Sequence, residues 1–269
     1  MITITPTTLR EYAILVSLNI SEPGGVPGLD AWRAHKGAVR AYFDRVTLPW
    51  DERGKRLLSG GSIGPFEDQM RALIERGREI AVGLDSRFAI RYTFSPVPNL
   101  NDYGALRYAD LESVTAARRA LWARLEGAIL TAVVGPWERL CAVLERLVDI
   151  GLTRDGYGFQ CSLLIHAADT ATAIPLLNLT NDLALYEHGI RLAQLVDALS
   201  SGLMWDRPEH QTQRQDAARE AARLLRKDAE QRQWLADRAA VILASARLAA
   251  GELRLASARP TDRVLSISA

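Results

Sequence analysis

From about residue 110 to residue 258 the apolar residues recur at helical spacing, and no other feature of the chain restricts its fold as much. The region from about Asp110 to Ile150 carries Gly135-Pro136 at its middle. There the missing N–H and the ring clash predict either a bent helix or two stacked ones. After Gly151, Asp155, Gly156 and Gly158, a short apolar helix is expected from Phe159 to Ala173, with Pro175 leading out of it. The next helix continues to about Leu203, with Asn181 or Thr180 as its N-cap. The last, from about Pro208 to Ala258, reads as one long helix. In it Leu235, Ala239, Ile242, Ala246, Ala249 and Leu253 follow the 4-3-4-3 spacing of a coiled-coil seam. Extended backwards, the same register puts Asp228 and Arg232 on the seam as an i,i+4 ion pair that breaks the apolar stripe.

The first hundred residues read differently. Tyr12, Ile14, Val16, Leu18 and Ile20 alternate along one strand, as do Phe88, Ile90, Tyr92 and Phe94 along another, and the two are expected to pair. Between them lie a helix from about Asp30 to Val46 and a second from Pro65 to about Leu84, joined through the connector Ser59 to Gly64. The fold class that follows is mainly α, and α+β only through a minor antiparallel strand pair. It is an elongated helical bundle with a long C-terminal helix. Residues 1–105 form a small α+β head, 106–258 the bundle and 259–269 a C-terminal tail.

With 48% hydrophobic and 24% charged residues the chain can bury a large core, and a formal charge of +1 creates no global field for nucleic acid or an anionic membrane. The stretches around Ala120 to Val134 and Ala239 to Ala250 are interrupted by Arg124, Glu126 and Arg247, so no transmembrane segment is expected. The N-terminus lacks a basic region and a cleavage site, which places the expected protein in the cytoplasm and empties the sequons at Asn19 and Asn178 of meaning. Cys141 and Cys161 read as buried thiols.

Signs of chemistry are few. The stretch SGGSIGP has no GK[ST] ending, and Lys55 precedes its glycines, so a phosphate loop is not expected. No catalytic, cofactor-binding or metal residues are assigned, and no cofactor is expected. His166 and Asp169 are three apart and fit a hydrogen bond on a helix face better than catalysis. Glu138 with Glu145, and Asp228 with Glu230, read as solvated faces. Arg219, Arg223 and Arg226 form a candidate anion-contact stripe, with Asp216 and Glu220 interleaved. The tryptophans at 32, 50, 122, 137, 205 and 234 read as core.

Several segments resemble a phage and bacterial family named domain of unknown function 3150, often encoded near MoxR-type AAA+ ATPases. They are the strand YAILVSLNIS; Arg45 to Asp51 followed by Gly54, Arg56, Leu57 and Leu58; the run Leu176 to Asp182; and Leu225-Arg226-Lys227-Asp228. The chain departs from that pattern at Ser21 to Gly24, where relatives carry an aromatic residue and a basic stretch. The resemblance implies a phage or prophage protein that works beside such an ATPase or in a larger assembly, and it carries over no functional residue.

The leading expectation is a non-enzymatic interaction or assembly protein. It self-associates or docks a protein partner, an AAA+ ATPase among those implied, through the face Leu235, Ala239, Ile242, Ala246, Ala249 and Leu253. The alternatives are a nucleic-acid- or virion-associated protein using the Arg219 stripe, and a hydrolase with His166, Asp169, Glu187 and His188 assembled from a distance. No membrane partner is expected.

Overall fold

The fold is that of a computed structural model, described for residues 9–22, 29–51, 54–82, 88–98, 111–153, 159–204 and 210–258. It is mainly helical, with one small antiparallel sheet. The C-terminal tail from residue 259 and the boundary at residues 105 and 106 lie outside the described residues.

A single turn, α1 (Leu9–Tyr12), leads into β1 (Ala13–Ser21), which pairs with β4 (Ala89–Pro96) as the alternation predicts, with Val16 opposite Phe94 and Leu18 opposite Tyr92. Two strands the alternation does not reveal extend the sheet on the other side. They are β3 (Arg56–Ser59) and the two-residue β2 (Leu48–Pro49), giving the order β2-β3-β1-β4. Both are too short to display a period of two.

The sheet is covered on both faces. Val16, Leu58 and Ile90 join Trp32, Val39, Phe43 and Phe66 from α2 (Asp30–Val46) and α3 (Ile63–Ile80). On the opposite face Leu15, Leu48 and Leu57 pack with Leu121, Leu125 and Ala128 of α4 (Leu111–Gly151) and Leu177 of α5 (Cys161–Leu177). The N-terminal sheet and the helices that follow therefore share a core.

Helix α4 continues through Pro136 over 41 residues, so of the bent helix or two stacked ones expected at Gly135-Pro136 the two separate helices are not what forms. An interior proline costs about 3 kcal/mol. Trp137, Leu140, Val143, Leu144 and Leu147 are all essentially buried just beyond it, which offsets that cost many times over. By length and composition Glu112–Gly151 is also apolar enough to cross a membrane, which the sequence reading did not anticipate. Leu121, Leu125, Leu140, Leu144 and Leu147 of this helix lie inside two core clusters, while Leu130 is 49% exposed.

Helix α5 likewise runs past Pro175 instead of ending at Ala173. Helix α6 (Leu183–Leu199) is capped one residue after Asn181 and two after Thr180: the Asp182 carboxylate accepts from the backbone N–H of Ala184 (3.0 Å) and Leu185 (3.4 Å). Asn181 instead takes φ 48, the left-handed turn that asparagine tolerates. Asn178 locks the turn: its side chain accepts from Asp182 N and donates to Asp182 O, each at 2.9 Å.

The expected long final helix is two, α7 (Gln211–Lys227) and α8 (Ala229–Ala258), joined at extended Asp228. The two polar residues on the seam do not pair with each other as a mid-helix ion pair; each caps a helix end. Asp228 accepts from Gln231 N at 3.0 Å, starting α8. Arg232, 6% exposed, donates to Leu225 O (2.9 Å) and Arg226 O (3.0 Å), satisfying the last carbonyls of α7.

Removing the Arg232 donor leaves buried carbonyls without it, whereas removing the Asp228 carboxylate frees only an exposed N–H. In urea unfolding, Arg232→Ala should lower stability by about 2 kcal/mol and Asp228→Ala by about 1 kcal/mol. Equal effects would mean that the joint is not held by Arg232.

Candidate functional site

The face proposed for a partner is already occupied. Leu235, Ala239 and Ala246 are 0% exposed and Ile242 8%, in one core with α4, α5, α6 and α7, and Ala249 packs half-buried against it. The side chain of Leu253 lies outside the described residues. The small residues serve contact within the chain: a Cβ added at Gly151 of α4 would stand 2.7 Å from Ala236 Cβ. The seam is thus a correct reading of a buried face and an incorrect one of what covers it.

The basic stripe is not intact either. Arg219 pairs with Asp216 (2.7 Å) and Arg223 with Glu220 (2.5 Å), all on the exposed side of α7, while Arg226 turns away to donate to Phe159 O at 2.9 Å. Three arginines at helical spacing become two neutralised pairs and an internal tether.

An open cleft of about 1360 Å³ is bounded by α2, α3, α5 and α7, with Arg139 and Ala142 of α4 at one end. Helix α2 turns Trp32, Val39, Phe43 and Val46 into the core. Its other face offers Ala31, Ala34, Ala38 and Ala41 to the cleft, three of them exposed and Ala38 half-buried.

One end of the cleft is crowded with guanidinium groups. Asp169 on α5 accepts from Arg45 of α2 and, at 2.8 Å, from Arg214 of α7, whose Nε also donates to Leu203 O. Arg139 donates to Arg45 O at 2.8 Å and to Asp44 O and Thr47 O at 3.4 Å. Behind it Arg56 donates to Thr47 Oγ1 (2.6 Å) and Thr47 O (3.0 Å) and faces the Asp44 carboxylate at 3.3 Å. Arg56 and Arg139 together satisfy the carbonyl end of α2, where cations are favoured. Burial pulls the pKa of both downward, and for Arg139 the nearby Arg56 adds to the effect. Arg45, Arg139 and Arg214 thus line this end of the cleft together with Asp44 and Asp169, with Arg56 packed behind them.

At the other end α3 brings Glu75, Arg76 and Glu79 to the rim, with Arg76 paired to Glu79 at 2.7 Å. Between the ends His35, 8% exposed, bonds through Nε2 to Leu73 O at 2.9 Å. The carbonyl only accepts, so Nε2 carries the proton. Gly77 permits this contact: an added Cβ would stand 2.9 Å from Ile90 Cδ1 and 3.1 Å from His35 Nε2.

The residues of the hydrolase alternative are not gathered. His166 and Asp169 line the cleft, but Asp169 is engaged by two arginines. His188 is buried in the bundle against Trp137, bonded to Ala184 O (2.6 Å) and Ser245 Oγ (2.8 Å), and Glu187 is exposed beside it. Glu145 pairs with Arg247 across α4 and α8. Within the stretch Ser59 to Pro65, Gly60–Ser62 forms a 3₁₀ turn running into α3, tied to α5 where Ser62 Oγ donates to Leu176 O. Among the described residues no three His, Cys, Asp or Glu side chains converge as metal ligands. Cys141 and Cys161 are half-buried at the edge of the bundle core rather than enclosed. Trp32, Trp50 and Trp137 are core, Trp122 is half-buried, Trp234 is 39% exposed, and Trp205 lies outside the described residues.

Comparison with family models, with curated proteins and with solved structures returned no match, so the resemblance to domain of unknown function 3150 rests on the sequence segments alone. One of those segments lies at this site. Its Arg45, Thr47 and Arg56 build the arginine-rich end of the cleft, although sequence reasoning assigned them no role. The available signal was arginine at the last turn of a helix and again after a proline turn, which periodicity does not register.

The His35 contact makes stability depend on pH. Burial is the main cause holding the His35 pKa below its ordinary value, so between that value and about 6.5 the unfolded chain binds more protons. The contribution is complete above about pH 6.5 and is lost as pH falls through the folded pKa. In urea titrations the fall in midpoint from pH 7 to pH 5 should be shallower for His35→Gln than for the wild type. Parallel curves would remove His35 as its source.

Proposed function

We propose that this chain is a non-enzymatic helical interaction protein that receives a segment of a partner protein in the cleft along α2. One observation carries the reading: an open trough of about 1360 Å³ floored by alanines, larger than the roughly 300–1,000 Å³ typical of sites for small molecules. Small side chains on a helix allow another backbone to approach closely, and three of the four floor alanines are exposed. The alternative of self-association through α8 loses its surface, because that face is core. The nucleic-acid alternative loses its stripe to intrahelical ion pairs. The hydrolase alternative loses its constellation, because His166 and Asp169 line the cleft whereas His188 is bonded to Ser245 in the bundle and is not among the cleft's lining residues.

The resemblance in the sequence supplies the partner class and the setting. We carry forward a phage or prophage protein acting beside a MoxR-type AAA+ ATPase as part of the same proposal.

A photo-crosslinking amino acid tests the surface directly. Placed at Ala34 in the cleft, it should give one discrete adduct in the producing cells, mapped by mass spectrometry to one segment of one protein. Placed at exposed Asp237 on the outside of α8, it should give none. Ala38→Trp, which fills the trough, should abolish the Ala34 adduct. Adducts at Asp237 alone, or at Ala34 regardless of Ala38→Trp, would remove the cleft as the docking surface.

A further inference from the structure

We infer that the outer edge of β4 is a second docking surface, at which an extended segment of a partner protein adds to the four-stranded sheet as a fifth strand. The inference is independent of the cleft, whose lining residues include none from the strands.

The sheet has two edges, and they are built differently. At one, β2 is two residues long and ends in Pro49, which has no N–H to offer. At the other, β4 runs for eight residues and, among the described residues, pairs only with β1. Its register with β1 is one to one from Ser21 opposite Ala89 to Ile14 opposite Pro96, so no bulge twists this edge away. Its proline is its last residue, Pro96, and its one charged side chain is Arg91. Alternate residues of such a strand turn their N–H and C=O outward, which makes a template for another strand.

The surroundings of that edge define what it takes. Helix α3 runs along β4 on one face: the Phe66 ring centroid lies 5.5 Å from that of Tyr92 and 6.0 Å from that of Phe94, and Gly77 lies beside Ile90. Tyr92 and Phe94 are only half-buried there, although Ile90 is enclosed. An added strand continues this apolar row, so its side chains on the α3 face are aliphatic or aromatic. On the other face Arg91 and Thr93 are exposed, and the cross-strand neighbours that suit them are glutamate and threonine. An extended segment alternating apolar with acidic or hydroxyl residues meets both demands. A second copy of this chain fits less well. Two-fold pairing sets the two β4 strands about 4.8 Å apart, whereas the α3 helices lying along them need about 8–10 Å between axes.

The probe is a fluorescently labelled octapeptide in which valine alternates with threonine and glutamate. Two further forms carry N-methyl groups on alternate amides, one form on each set, so each keeps main-chain donors along one edge only. A fourth form has lysine in place of glutamate. Affinity is read by fluorescence anisotropy on the full chain, and location by hydrogen exchange of the backbone amides. Arg91 is exposed, so Arg91→Glu changes the edge and leaves the core intact, with circular dichroism as the check on folding.

The octapeptide should bind; one N-methylated form should match it, and the other, robbed of the donors that face β4, should bind about tenfold or more weakly. Binding should slow exchange of alternate amides within residues 89–95 and leave α2 unchanged. The lysine form should bind the wild type about threefold less tightly than the glutamate form, and Arg91→Glu should reverse that order. No binding of the octapeptide, equal binding of the two N-methylated forms, or protection that misses residues 89–95 overturns the strand addition. So does a wild-type dimer whose residues 89–95 are already protected throughout, which would give the edge to a second copy. The crosslinks at Ala34 bear on the cleft alone, so the two surfaces stand or fall separately.

Discussion

Helix α5 is apolar around almost its whole circumference, and burying such a helix requires neighbours on every side. It is packed by α4, α6, α7, α2 and β3, and the rest of the molecule is arranged around that requirement. Its sequence holds one carboxylate, Asp169, and no lysine or arginine. A carboxylate on a mostly buried helix is costly unless it is paired. Arg45 and Arg214 reach it from α2 and α7, so satisfying one charge joins three elements from distant parts of the sequence. The meeting of Arg45 and Arg214 at that end of the cleft is a consequence of burying α5.

The regular parts of this fold were legible because burial writes a period into the sequence. The pairing of β1 with β4 followed from alternation, and the helical second half followed from the spacing of its apolar residues. Periodicity states which face is buried and is silent about what buries it. Leu235, Ala239, Ile242 and Ala246 therefore read equally as a seam for a partner and as core, and the structure makes them core. The prolines at 136 and 175 do not end their helices, for a related reason. Local rules weigh one lost hydrogen bond, whereas tertiary packing weighs Trp137, Leu140 and Ile174 beside it.

What was not legible lies at the joints, where single polar side chains decide the path of the chain. Asn178 and Asp182 set the entry to α6, Asp228 and Arg232 divide α7 from α8, and Arg56 with Arg139 closes α2. Each joins residues by hydrogen bonds whose geometry has no period. Three of the segments that carry the family resemblance, Arg45 to Leu58, Leu176 to Asp182 and Leu225 to Asp228, coincide with these joints. The candidate site was hidden likewise, since Arg45, Asp169 and Arg214 are brought together only by folding.

The same residue type has opposite meanings on α8 and α2, and the difference explains why a cleft exists at all. The alanines of α8 are used up in close contact: Gly151 approaches Ala236 so nearly that neither position has room for a larger side chain. The alanines of α2 meet no such neighbour, because α2 is braced at two points and left unfilled between them. At one end Asp169 bridges Arg45 and Arg214 across the opening; nearer the other, His35 bonds to Leu73 O where Gly77 lets α3 come close. Polar bracing fixes the distance between walls without filling the space, as apolar packing would have done. An opening held in this way stays available to a partner without costing the core its density, and for that reason the cleft, rather than the more regular seam of α8, is the surface on which the function is proposed to depend.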